Sequence, residues 1–165
     1  MNLALLIIDM QKDFFKGNSE ESMKKASDYI NQAVNIFREH NKKIIWIQNE
    51  NIEEGLITVT PGFEVIELLT PQQNEKRITK HYRNSFNKTG LLEYLLEEKI
   101  DTVIVTGFCA EYCVFSTFVG ALDHDLTPII LKNAIAGGNN ENIKFVENVC
   151  DTLTVKILKK IIKDK

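Results

Sequence analysis

Thr102-Val103-Ile104-Val105-Thr106-Gly107, followed by Phe108-Cys109-Ala110-Glu111-Tyr112-Cys113, is the stretch on which the fold turns. Its first half is short, apolar and β-branched, and a glycine ends it. That is the pattern of a buried parallel strand. Val114 to Leu122 is mostly apolar and continues as a helix. Cys113 is thereby predicted where a loop becomes the first turn of a helix. Unpaired N–H groups at such a place carry a partial positive charge that favours thiolate over thiol. A depressed Cys113 pKa is the expectation.

Strand and helix signals alternate outward from this stretch. Leu3–Ile8 is an apolar run ended by Asp9. Glu21–His40 is amphipathic, with Ala26, Ile30, Ala33, Val34 and Phe37 on one face. Ile44–Gln48 reads as a second strand. Thr60-Pro61-Gly62 reads as a turn, and 63–69 as a short helical piece before Pro71. Lys76–Lys80 is polar but compatible with a short strand. Leu91–Lys99 is helical, Pro128–Leu131 a further strand, and 152–155 the last one. The tail from Lys156 to Lys165 reads as the solvated face of a terminal helix, since Ile157, Leu158, Ile161 and Ile162 recur at helical spacing. Alternating elements predict an α/β fold: a single domain over 1–165, three layers (α/β/α), with a doubly wound, mainly parallel, Rossmann-like sheet. Such sheets bind ligands beyond the carboxyl ends of their strands. Asp9, the 107–113 loop and Lys80 are the residues expected there.

Composition narrows the function. The chain has 165 residues and a net charge of −3, so no bulk field favours nucleic acid or an anionic membrane. Three cysteines are too few and too odd for a disulfide framework. No apolar stretch approaches the length of a membrane span, and Met1-Asn2 runs into the first strand with no basic leader. The expectation is a cytoplasmic protein with a small-molecule substrate and no nucleic-acid or membrane partner.

Taken singly, the chemical candidates are weak. Asp9 is also what a turn cap looks like, Lys80 is an ordinary lysine, and a lone cysteine often packs as a small hydrophobe. Together they are specific. Asp9-Met10-Gln11-x-Asp13-Phe14 after the first strand, Lys80 before Asn84-Ser85-Phe86, and Gly107 followed six residues later by Cys113-Val114 resemble the isochorismatase-like cysteine hydrolase superfamily, which includes nicotinamidases. The similarity runs from Leu3 to about Ala136. The resemblance implies a catalytic triad of Asp9, Lys80 and Cys113. It also implies a non-proline cis peptide at Phe108–Cys109, and an oxyanion hole from the backbone N–H groups of Cys109 and Cys113. A carboxylate can take the thiol proton and an ammonium can favour the anion.

Two departures from the resembled family matter. Its nicotinamidases place an Asp-x-His pair after the second strand, with a further histidine downstream. Here the segment reads Gln48-Asn49-Glu50-Asn51, and the three histidines, His40, His81 and His124, stand in separate segments. A zinc site needs convergent ligands, so no metal and no cofactor are expected. Cys109 replaces a small residue. It is a candidate pocket thiol, or a redox partner four residues before Cys113. Phe14, Phe15, Trp46, Tyr82, Phe108 and Tyr112 are candidates for a pocket wall, with Phe14, Phe108 and Tyr112 taken as substrate-binding. Asn133 stands where the family often has an acid.

The leading expectation is a metal-independent hydrolase that cleaves a small amide or related C–N bond through a Cys113 thioester. Nicotinamidase or pyrazinamidase is the alternative, and a non-catalytic binding or scaffold protein is the alternative of another class. The segment 50–75 is reduced relative to the family. The apolar residues Val114, Phe115, Phe118 and Val119 face more than one side of their helix. A homodimer or larger assembly is expected, with this helix near the interface.

Overall fold

The computed structural model describes residues 1–162. The first strand, β1 (Leu3–Ile8), is buried along its whole length, as a continuous apolar run requires of a central parallel strand. Side chains alternate faces along a strand. Leu3, Leu5 and Ile7 pack on one side with helices α1 (Asn18–Glu39) and α5 (Val155–Ile161). Ala4, Leu6 and Ile8 pack on the other with α2 (Leu91–Glu97), α3 (Phe115–Asp123) and α4 (Asn140–Val149). The layers are therefore helix, sheet, helix.

The remaining strands are β2 (Lys43–Asn49), β3 (Lys76–Lys80), β4 (Thr102–Phe108), β5 (Thr127–Ala136) and β6 (Thr152–Leu153). Their spatial order is β3-β2-β1-β4-β5-β6, and every strand pairing is parallel. The chain runs outward from β1 through β2 to β3, then returns to the other side of β1 as β4. The switch in strand order thus lies between β1 and β4, where ligand clefts open in such sheets. Ile8 is in register with Gly107, so Asp9 and the loop after β4 leave the sheet side by side.

Gly107 is required at this junction. Its φ is +116°, and a Cβ there would run into the Ile8 backbone. The β4–β5 register shifts between Val105 and Gly107, which re-aims the chain as it enters the loop. A second close approach ties down the segment after β3. The Ser85 N–H donates to Thr117 Oγ1 at 3.1 Å and the two hydroxyls lie 2.8 Å apart. Gly120, one turn further along α3, faces the Asn84 amide so closely that a Cβ would overlap it.

Two sequence expectations are corrected, and the expected terminal helix forms. No helix forms over 63–69. A 3-10 turn occupies Pro61–Phe63, and the chain after it is held by the 10–12 loop, with Lys12 N–H donating to the Glu64 carbonyl and Ile66 N–H to the Met10 carbonyl. Backbone groups that a helix would use are taken by the 10–12 loop, which leaves 63–69 in an irregular path. The last strand stops at Leu153, because Thr154 turns to cap α5, accepting from the Ile157 N–H at 3.4 Å. In α5 the buried positions are Leu158 and, just beyond, Ile162, whereas Ile157 is exposed; residues 163–165 of the expected tail lie outside the described residues. Among the described residues no helix is long and apolar enough to cross a membrane.

Candidate active site

Asp9, Lys80 and Cys113 converge beyond the carboxyl ends of β1, β3 and β4. Lys80 starts two strands away from Asp9, and its four-carbon stem spans the end of β2. Its Nζ lies 2.8 Å from Asp9 Oδ2, with the lysine side chain 0% and the aspartate side chain 2% exposed. The same Nζ donates to Cys113 Sγ at 3.4 Å, to the Tyr82 carbonyl at 3.1 Å and to Asn49 Oδ1 at 3.4 Å. Two carbonyl-type oxygens, a carboxylate and a sulfur thus replace the water that a buried ammonium gives up. Asp9 Oδ1, in contrast, has no hydrogen-bond partner among the described residues. It is a buried acceptor left free in a carboxylate whose charge acts on the Cys113 thiol.

The backbone explains the placement. Asp9 has a φ of 51°, a left-handed conformation that aspartate tolerates better than most residues. Its N–H still donates to the Ile47 carbonyl at 2.8 Å. Gln11, fully buried, pins the neighbouring loop. Its amide donates to the Asn49 and Phe63 carbonyls at 3.0 Å each, and its Oε1 accepts from the Asn49 N–H at 2.6 Å. The Phe108–Cys109 peptide is cis. Ala110–Val114 then forms a π-helical turn that runs into α3. Tyr112 and Val114 both donate to the Cys109 carbonyl at 3.1 Å. The Cys113 N–H sits between those two donors.

The protonation pattern overturns the expected thiolate. Burial, reinforced by the Asp9 carboxylate and opposed by Lys80, pushes the Cys113 thiol up to about 12. Burial likewise holds the Asp9 carboxyl above its ordinary range, against the pull of Lys80. The helix-start argument fails because Cys113 lies half-buried inside a π-helical turn, next to an acid. Desolvation and a like charge outweigh a partial dipole. A carboxylate of raised pKa is, however, a better base towards a thiol than an ordinary one.

These groups open onto a cavity of about 430 Å³. Phe14, Phe108 and Tyr112 line it as expected, and Phe14 stacks on Phe108 with centroids 5.3 Å apart. Tyr82 also lines it. Trp46 and Phe15 do not. Trp46 points into the core on the α1 face, where its Nε1 donates to Glu75 Oε2 at 2.7 Å, and Phe15 packs against the same core. Asn49, Asn51, Glu54, His81 and Arg83 line the cavity without having been singled out from sequence. Their only signal was position, just past the ends of β2 and β3. Cys109 lines the cavity as a free thiol. It donates to Glu111 Oε2 at 3.1 Å, and burial with the Glu111 charge raises its pKa steeply. Asn133 lies elsewhere, its N–H donating to Glu147 at 2.7 Å.

The residues after β2 do not fit a zinc centre. Asn49 faces Lys80. Glu50 accepts from the Thr58 N–H and hydroxyl at 3.0 and 2.8 Å and lies 3.8 Å from His81 Nε2. His40 and His124 sit far along the chain, on a helix end and against Phe86. Among the described residues no three His, Cys, Asp or Glu side chains converge as metal ligands.

The isochorismatase domain family model matches residues 3–152. The chain belongs to the isochorismatase family. This isochorismatase-family hydrolase is 32% identical over 149 residues to the isochorismatase family protein YrdC of Bacillus subtilis, a match covering 87% of this chain and 80% of the relative. An isochorismatase-like hydrolase from Alkaliphilus metalliredigens superposes with a TM-score of 0.90 at 26% identity, over 99% of this chain and 100% of the other. N-carbamoylsarcosine amidase from Thermoplasma acidophilum shares the fold, with a TM-score of 0.82 at 22% identity, over 93% and 95% of the two chains.

Proposed function

We propose that this protein is a metal-independent cysteine hydrolase that cleaves a small amide or a related C–N bond through a thioester on Cys113. The observation that carries the reading is the fully buried Lys80 ammonium, which touches both the Asp9 carboxylate and the Cys113 sulfur. Burying an ion pair costs several kcal/mol per ion before any attraction repays it. A scaffold would gain nothing from that arrangement, and a nucleophile with its base does.

In the proposed cycle Asp9 takes the Cys113 proton as Sγ attacks the substrate carbonyl carbon. Lys80 offsets the charge that develops on sulfur. The carbonyl oxygen becomes an oxyanion and accepts from the Cys109 and Cys113 N–H groups. Collapse breaks the C–N bond, and the Asp9 proton goes to the departing amine. Water, deprotonated by Asp9, then attacks the thioester, releasing the acid and returning the proton to sulfur. The aromatic wall of Phe14, Phe108 and Tyr112 excludes water and holds the apolar part of the substrate. The reading carries with it a reducing compartment such as the cytoplasm, since the nucleophile must remain a thiol.

The test is a hydrolysis screen over small amides and ureides, the latter suggested by the fold shared with N-carbamoylsarcosine amidase. Cys113→Ala serves as the blank. Ammonia or amine release by wild type but not by the blank, unchanged after exhaustive chelation, is the expected result. Turnover that persists in Cys113→Ala, or that chelation abolishes and zinc restores, would sink it and bring nicotinamidase or pyrazinamidase chemistry forward.

The assembly is proposed to be a homodimer or larger. Val119 and Leu122 on α3 are 39% and 53% exposed, and Phe145 and Val149 on α4 are 55% and 53% exposed. Phe115 joins the two helices through Phe145, at 6.4 Å between centroids. A contiguous apolar face of this kind marks an interface more often than a free surface. Light scattering at micromolar concentration should give at least twice 18.9 kDa, and Leu122→Asp should lower it. A wild-type mass equal to one chain would refute the proposal.

A further inference from the structure

Arg83 lies three residues beyond Lys80 and lines the same cavity as Cys113. Its guanidinium carbon sits 4.2 Å from the centroid of the Tyr112 ring. Stacking of this kind occupies the face of the guanidinium group. It leaves the five N–H donors, which lie in the guanidinium plane, free to point outward. Among the described residues Arg83 forms no ion pair, and its side chain donates no hydrogen bond. Lys80, fully buried behind the cavity lining, is already shared between Asp9, Tyr82, Asn49 and Cys113. Glu54 lines the cavity from the loop after β2 and is not paired with Arg83. His81 faces Glu50, at 3.8 Å.

We infer that the substrate carries a carboxylate, and that Arg83, held flat by Tyr112, receives it while the scissile carbonyl rests against Cys113. The class is a short anionic amide or ureide: the monoamide of a dicarboxylic acid, or an N-carbamoyl amino acid. The inference rests on the hydrolase reading and adds the feature that selects the substrate. Three observations support it together. The guanidinium fork matches a carboxylate in two parallel hydrogen bonds. Arg83 and Tyr112 are both exposed, and the stack removes rotamer freedom that an unstacked arginine would lose on binding. Cys113 and Arg83 line the same cavity of about 430 Å³, so one small molecule can reach both.

The test uses two matched series: short monoamides of straight-chain dicarboxylic acids with N-carbamoyl amino acids, and neutral amides and ureas of the same length. Calorimetric titration of purified Cys113→Ala protein should show binding of the anionic series. Arg83→Gln on that background should weaken it by about 10–100-fold, as loss of a charge-assisted pair predicts. Arg83→Lys should recover only part of the loss, because the charge returns without the fork. In the Cys113 protein, Arg83→Gln should raise KM for anionic substrates far more than for neutral ones. If the anionic series binds in an Arg83-dependent way and wild type hydrolyses nothing, the hydrolase reading fails and the carboxylate pocket stands. If wild type hydrolyses both series alike, or Arg83→Gln weakens both alike, or no anionic compound binds, the carboxylate pocket is overturned.

Discussion

Asp9→Asn should lower kcat/KM by about 10²–10⁴-fold, the span of a positioned general base, while making Cys113 more reactive towards iodoacetamide at neutral pH. The two effects point in opposite directions for one reason. In the wild type the Asp9 carboxylate and burial hold the thiol up at about 12, with Lys80 pulling against them. Its alkylation at neutral pH should therefore be slow and should rise about tenfold per pH unit, as for any thiol far below its pKa. Asparagine removes the negative charge but leaves the Lys80 ammonium, which then needs a new counter-ion. The nearest atom able to supply one is Cys113 Sγ, 3.4 Å away. The sulfur should ionise more readily, and mass spectrometry should find it labelled faster than Cys109 or Cys150. Turnover should still fall, because no base remains to pass the proton to the leaving amine or to activate water. The double variant with Cys113→Ala should be hardly worse than Cys113→Ala alone, since members of one catalytic unit are not additive. Labelling that slows in Asp9→Asn, or losses that multiply, would rule out the shared proton.

The sheet was legible because its strands are buried on both faces. Continuous runs such as Leu3–Ile8 and Thr102–Thr106 admit few other readings, and the rule that ligands sit beyond strand ends placed Asp9 and Cys113 together. Lys80 was not legible in that way. It belongs to the edge strand β3, and only the reach of its side chain across β2 brings it to Asp9; its assignment came from resemblance. The thiolate was misread because sequence shows a helix start but neither the burial around a sulfur nor the acid beside it. Phe63, Ile66 and Leu69 have helical spacing, yet they anchor a loop whose Ile66 N–H and Glu64 carbonyl bond to the 10–12 segment. Trp46 looked like a pocket aromatic and is core, since alternation along β2 turns it towards α1. Arg83 gave no signal at all: its meaning comes from Tyr112, 29 positions later in the chain, which places a ring under its guanidinium.

Lys80→Met should cost about 3–5 kcal/mol of stability at neutral pH, the usual loss when one partner of a buried pair is removed. For a domain of this size that is a fall in Tm of roughly 10 °C. Methionine retains much of the apolar stem, so the loss is electrostatic: Asp9, 1% exposed, keeps one oxygen without a donor and loses the cation on the other. The pH dependence separates this from a packing defect. Asp9 already has a folded pKa raised above 3.8 by burial, and loss of Lys80 raises it further. A group whose folded pKa is raised contributes stability that is present below its unfolded value and lost as pH rises through the folded one. The gap between Lys80→Met and wild type should therefore be small under mildly acidic conditions and widen towards neutrality. Adding Asp9→Asn should close much of it, because a neutral amide does not need the ammonium. Urea unfolding of wild type, the single variant and the double variant across that range decides the matter. A gap that stays constant with pH, or that the second substitution does not narrow, would mean that Lys80 supports the fold through its stem and not through its charge.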